Sequence, residues 1–297
     1  MMADEAGQFG ARSWLFAPGD SERKMAKAAD GPADIVLLDL EDAVAESEKP
    51  RARTLVREFL AANPDRRARL WVRVNPLGSG HILADLAAVM PGRPGGIMLP
   101  KAEGRADIER LDHHLSAFEA AHHIADGATK VIALITETAA AMFKTGDYAG
   151  APRLVALTWG AEDLADAVGA SANREADGSF GFTFQLARSL CLLGAAAAGL
   201  PAIETIHGDF RDADGLRRTA ERVRRDGYRG MLAIHPAQVE PINAAFSPTA
   251  EEIADAQEIV ALFAANPGVG AIGYRGGMLD RPHLARAERL LRLAERP

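Results

Sequence analysis

Asp39, Glu41 and Asp42, then Arg73 and Asn75, then Lys101, Glu137 and Asp163 all follow or end short apolar runs in this sequence of 297 residues. Carboxylates brought together this way suit a hard divalent cation, which takes oxygen ligands and keeps positions open for water and substrate. Glu137 and Asp163 end consecutive apolar runs, so both are candidates to hold one Mg²⁺, or Mn²⁺ in its place. A rim of solvated acids is the competing reading of the same residues. Arg73 lies inside LWVRVNP, where a permanent charge needs either a buried partner or an anionic ligand.

Positioning such groups requires a scaffold that brings many segment ends to one face. Eight runs rich in Val, Ile, Leu and Trp, at 14–18, 35–40, 70–75, 96–101, 131–137, 154–160, 201–208 and 230–236, are each followed by helical apolar spacing. Because the runs are continuously apolar and do not alternate, both faces must be covered. The expected fold is α/β: a (β/α)₈ TIM barrel over 1–246, with a doubly wound open sheet as the alternative. In such barrels the functional groups gather where the strands end. Within 107–124, Leu111, Leu115 and Phe118 mark one apolar stripe, which leaves His113, His114, His122 and His123 on other faces. After the eighth run, Ser247 or Thr249 begins a capped helix that ends at Asn266-Pro267-Gly268. A turn-rich stretch and a final helix complete a small, helical, lid-like appendage at 247–297.

Composition narrows the function. A net charge of −7 with scattered basic residues lacks the footprint of a nucleic-acid binder. No run approaches the roughly 18 apolar residues of a membrane span, and the acidic start has no secretory pattern, so a cytoplasmic protein with no membrane partner is expected. The single cysteine, Cys191, sits in LARSLCLLGAAAAG and reads as a small buried hydrophobe. GVGAIG at 268–273 follows a helix and opens none, so it is read as a turn and not as a dinucleotide fingerprint.

The motifs RSWLFAPGD, DIVLLDLEDAV with Lys49, WVRVN, GIMLPK, ITET, WGAEDL, IHPAQV and GGMLDRP occur in one order across 12–282. In that order the sequence resembles the citrate lyase β-subunit-like branch of the HpcH/HpaI aldolase superfamily. The resemblance implies a Mg²⁺-dependent carbon–carbon lyase acting on a 3-hydroxyacyl thioester of the malyl, citramalyl or citryl type, carried by coenzyme A or an acyl-carrier partner. It implies Glu137 and Asp163 as metal ligands and Arg73 as the stabiliser of a developing enolate. Glu41 and Asp42 become an acidic pair near the metal's waters, and Lys101 lines the same mouth. Asp280 becomes an acid/base group delivered to a neighbouring subunit of a homotrimer or hexamer, and Arg23 and Lys24 become contacts for coenzyme A phosphates. Met231 and Glu204 depart from the family pattern, where relatives carry a basic residue and an aspartate. Competing readings are a class II pyruvate aldolase without coenzyme A, a thioesterase, and a non-catalytic metal-binding subunit.

Overall fold

Ile35–Asp39 and Leu154–Thr158 are buried at every position, as a strand must be when side chains fill the space inside it and helices cover the outside. The computed structural model describes residues 10–295. Strands β1 (Ser13–Pro18), β2 (Ile35–Asp39), β3 (Leu70–Arg73), β4 (Gly96–Leu99), β5 (Lys130–Leu134), β6 (Leu154–Thr158), β7 (Ala202–Glu204) and β8 (Gly230–Ala233) pair in sequence and close into a parallel barrel. Each lies within or overlaps one of the eight expected runs. Most stop a few residues short of the expected ends, where Asn75, Lys101 and Glu137 take part in side-chain hydrogen bonds instead.

Side chains two apart on a strand share a face. Trp14, Leu37, Trp71, Met98, Ile132, Ile203 and Leu232 thereby form one apolar cluster, in which the Trp14 and Trp71 rings meet edge to face at 5.2 Å. Trp71 is paired in register with Gly96, and a Cβ placed at residue 96 would stand 2.4 Å from its ring. Gly96→Ala is therefore expected to destabilise the barrel by about 1–3 kcal/mol through overpacking. Urea unfolding measures it; parental stability would show that Trp71 can move aside.

Helices α1 (Glu22–Ala29), α2 (Lys49–Ala62), α3 (Ile82–Val89), α4 (Arg105–Ala121), α5 (Ala139–Met142), α6 (Glu162–Ala167), α7 (Phe182–Ala197) and α8 (Ala213–Asp226) connect the strands. Their stripes explain why they lie on the barrel; in α8, Leu216, Ala220 and Val223 recur at i, i+4 and i+7 and are buried. In α4 the buried stripe is Ile108, Leu111, Leu115 and Glu119, with Phe118 only half-buried. Glu119 replaces the expected aromatic because Arg153, Gly127 N–H and Thr129 N–H all donate to its carboxylate. Cys191 is buried on α7, and burial pushes its thiol up, away from reactivity.

The chain divides between Asn243 and Ala244 into two compact units, inside α9 (Val239–Phe246) and not in the turn after it. The second unit holds α10 (Ala250–Ala265), β9 (Ala271–Tyr274), β10 (Gly277–Asp280) and α11 (Arg281–Ala294). Thr249, of the two expected caps, starts α10: its hydroxyl accepts from Glu252 N–H and its own N–H donates to Glu252. The turn-rich stretch expected here is instead an antiparallel hairpin, so the unit is not purely helical. Arg275 and Gly276 carry φ of 46° and 81° between paired Tyr274 and Gly277, the two-residue turn with both central residues left-handed. Among the described residues no helix is long and apolar enough to cross a membrane.

Candidate functional site

β2 and β3 are in register at Asp39 and Arg73, the residues that continue the interior rows above Leu37 and Trp71. Arg73 donates through Nε and Nη2 to the two Asp39 oxygens at 2.8 and 2.6 Å. Asp39 also accepts from the N–H groups of Glu41 and Ala43, so it shapes the loop leaving β2. The planar fork of Arg73 is thus occupied by a buried carboxylate, and both alternatives raised by the sequence meet in one side chain. Its third nitrogen, Nη1, lies 2.8 Å from Glu41 and 3.6 Å from Asp42. The Phe16 ring packs under the guanidinium at 4.8 Å.

Glu41 is buried and bridges two cations. Its Oε1 accepts from Lys101 Nζ at 2.8 Å, while Oε2 faces Arg73 outside hydrogen-bond alignment and has no hydrogen-bond partner. Burial raises the Glu41 pKa, against the opposing charges of Arg73 and Lys101. Asp42 is exposed.

Lys101 leaves β4 with φ of 52°, an uncommon left-handed turn for a lysine. That turn aims its N–H at Glu137 Oε2, 2.7 Å away, while its ammonium lies 3.4 Å from Asp163. Burial opposes the ammonium charge, but the Glu41 hydrogen bond and the charges of Glu137 and Asp163 outweigh it and raise the pKa. Glu137, past the end of β5, sits beside Asp163 in the first turn of α6. Thr136 Oγ1 exchanges two 3.1 Å hydrogen bonds with the backbone of Gly160, tying the ends of β5 and β6 together beneath the two acids. Burial first, then the charges of Glu41 and Asp163, hold the Glu137 pKa well above the usual carboxylate range.

Three residues given no role in the sequence reading support this rim. Lys49 is buried and donates to the carbonyls of Leu40 and Glu41 and to Asn75 Oδ1 at 2.7 Å. Asn75 donates to Asp85, which accepts in turn from Arg53. Two signals were present in the sequence. Lys49 is a cation at the N-terminus of α2, where the helix dipole disfavours it. Asp85 interrupts the apolar stripe of Ile82, Leu86 and Val89. Glu41, Asp42, Lys49, Asn75, His81 and Lys101 line an open cleft of about 600 Å³ beside the acids.

The structure therefore brings Glu41, Asp42, Arg73, Lys101, Glu137 and Asp163 to one mouth. Arg23 and Lys24 are exposed on the first turn of α1, which follows β1. Met231 is buried in β8. Glu204 is fully committed to Trp159 Nε1, Arg188 Nε and the Thr205 N–H. Asp280 lies in the second unit, at the junction of β10 and α11.

Among the described residues, Asp39, Glu41, Asp42 and Asp163 pair with two cations, Arg73 and Lys101, and Glu137 adds a fifth carboxylate beside Glu41 and Asp163. That excess, the Glu41 Oε2 left without a hydrogen bond and the raised Glu137 pKa fit a divalent cation held by oxygen. A closed parallel barrel with such a rim defines a barrel enzyme, and residues 193–296 match the family model described as a C–C bond lyase of the TIM-barrel fold. Residues 12–236 match the HpcH/HpaI aldolase/citrate lyase model, and the chain belongs to that family. It is 35% identical over 297 residues to a (3S)-malyl-CoA thioesterase of Cereibacter sphaeroides, covering 99% of this chain and 97% of that protein. It is 32% identical over 299 residues to the mitochondrial citramalyl-CoA lyase of Mus musculus, covering 95% and 86%. The crystal structure of CitE from Mycobacterium tuberculosis in complex with magnesium, acetoacetate and coenzyme A superposes with a TM-score of 0.81, at 35% identity, covering 97% of this chain and 100% of that one.

Proposed function

We propose that the chain is a Mg²⁺-dependent lyase that breaks the C2–C3 bond of a 3-hydroxyacyl-CoA thioester, releasing an oxo acid and an acyl thioester. The observation that carries this reading is the pair of buried Glu137 and half-buried Asp163 with Arg73 and Lys101 beside it at a barrel rim. Glu137 and Asp163 would hold the cation. When bound, it supplies Lewis-acid polarisation and a template for substrate oxygens. Arg73 Nη1 offers positive charge to the thioester oxygen as it gains enolate character, on a guanidinium that Asp39 keeps fixed. Lys101 holds Glu41 in place and keeps its own charge at the same mouth. Arg23 and Lys24 meet coenzyme A phosphates. Asp280 belongs to the proton-transfer group, supplied by a neighbouring chain of a homotrimer in the cytoplasm.

Incubating the purified chain and Mg²⁺ with malyl-CoA, citramalyl-CoA and citryl-CoA, followed by mass spectrometry, tests the reading. Oxo acid plus a shorter thioester is the expected outcome. Hydroxy acid plus free coenzyme A would show hydrolysis instead, the reading that similarity to a malyl-CoA thioesterase favours. No change in any thioester would sink both.

A further inference from the structure

The loop from β4 to α4 carries Lys101, whose left-handed turn points its N–H at Glu137 and its ammonium at Glu41 and Asp163. An L side chain keeps such a turn only where its surroundings hold it there. At the far end of the same loop Gly104 also has a positive φ, 96°, and starts α4. Between the two turns stands one buried phenol. Tyr148, in the turns that lead from α5 to β6, accepts from the Gly104 N–H at 2.8 Å and donates to the Ala102 carbonyl at 3.0 Å. A tyrosine hydroxyl has one proton to give and lone pairs to receive, so it suits one acceptor and one donor at once. Burial pushes its pKa up, and the hydroxyl keeps its proton and both bonds across the neutral range.

We infer that Tyr148 is a positioning residue for the mouth: by joining the Ala102 carbonyl to the Gly104 N–H it locks the loop in the shape that directs Lys101 to Glu41, Glu137 and Asp163. The consequence for turnover rests on the lyase reading; the clamp itself does not. Ala102 and Gly104 are both buried, so without the hydroxyl a buried N–H and a buried carbonyl lose a partner together. A change in the loop that turns both toward water relieves that loss. Lys101 then leaves its φ of 52° for the extended region, its N–H swings away from Glu137, and its ammonium leaves Glu41. The start of α4 has separate ties: the Glu103 N–H donates to Asp107, and Thr138 donates to the Glu103 carboxylate. Loss of the clamp is therefore felt at Lys101 and not along the helix.

Amide hydrogen exchange of the metal-free protein tests the clamp without any substrate. In Tyr148→Phe, which keeps the buried ring, the Lys101 and Gly104 amides are expected to exchange about 10-fold faster or more, the scale of one lost buried hydrogen bond, with β4 and β5 unchanged. A faster Gly104 beside an unchanged Lys101 overturns the inference, because the hydroxyl then only caps α4. Faster exchange throughout the barrel overturns it too, since Tyr148 is then general packing. In the parental chain one opening should expose both amides, so their protection is expected to agree within about threefold. A Lys101 amide about 10-fold less protected than Gly104 overturns the clamp whether or not the variant folds. With a turned-over thioester, Tyr148→Phe is expected to lower kcat by about 10-fold. Added to Lys101→Met, the same change should cost less than it does alone; full additivity overturns the route through Lys101. A parental chain without turnover sinks the lyase reading, and the exchange rates still decide the clamp.

Discussion

Glu137→Ala and Asp163→Ala are each expected to abolish measurable Mg²⁺ binding and to lower kcat by about 1,000-fold or more, the equivalent of roughly 4 kcal/mol of transition-state stabilisation. The barrel should survive either change. Glu137 is buried among like charges, so its loss relieves repulsion and costs the one hydrogen bond it accepts from the Lys101 N–H. The same burial gives a pH dependence with a definite sign. The folded-state pKa of Glu137 is raised, so without metal its contribution to stability is present at low pH and is lost as pH rises through that folded value. Mg²⁺ reverses the loss by neutralising the ionised form, and protons compete with it, so affinity should weaken as pH falls. Calorimetric titration and melting curves across pH, with and without Mg²⁺, measure both. Unchanged affinity in both variants would place the metal elsewhere.

Arg73→Lys is expected to lower kcat by about 100- to 1,000-fold, the usual cost of losing one preorganised donor to a developing oxyanion. Lysine keeps the charge but cannot hold both Asp39 oxygens and also face the mouth. Since Asp39 is buried, the variant should also lose some stability, by less than the ~3–5 kcal/mol that follows outright removal of a buried partner. Melting temperature separates the two effects. A substrate KM near the parental value with a fallen kcat identifies a transition-state role. Wild-type kcat would remove Arg73 from the chemistry and leave it as the clamp on Asp39.

Parallel strands with helices on the outside were legible because the strands are apolar on both faces, a pattern a half-solvated sheet does not produce; the eight-fold alternation favoured closure over a doubly wound open sheet, which buries its strands in the same way. The rim acids were legible for the same reason: Asp39, Glu137 and Asp163 stand out where the apolar runs stop. The partner of Arg73 was not, because sequence shows that a buried guanidinium needs an anion but not which one, and the choice of Asp39 follows from strand register. Lys49, Asn75 and Asp85 meet only after α2 and α3 pack beside the rim, so their separate signals could not be joined along the chain. The hairpin of the second unit was hidden by its turn, Arg275-Gly276, which lacks the asparagine or aspartate that usually marks this geometry.

The claim on which the rest depends is that Glu137 and Asp163 share one divalent cation. Mn²⁺ soaked into crystals in place of Mg²⁺ scatters anomalously, and its peak locates the ion without reference to any activity. The expected peak lies between the two carboxylates, at about 2.0–2.3 Å from an oxygen of each. A single strong peak elsewhere, or none at millimolar Mn²⁺, would contradict it.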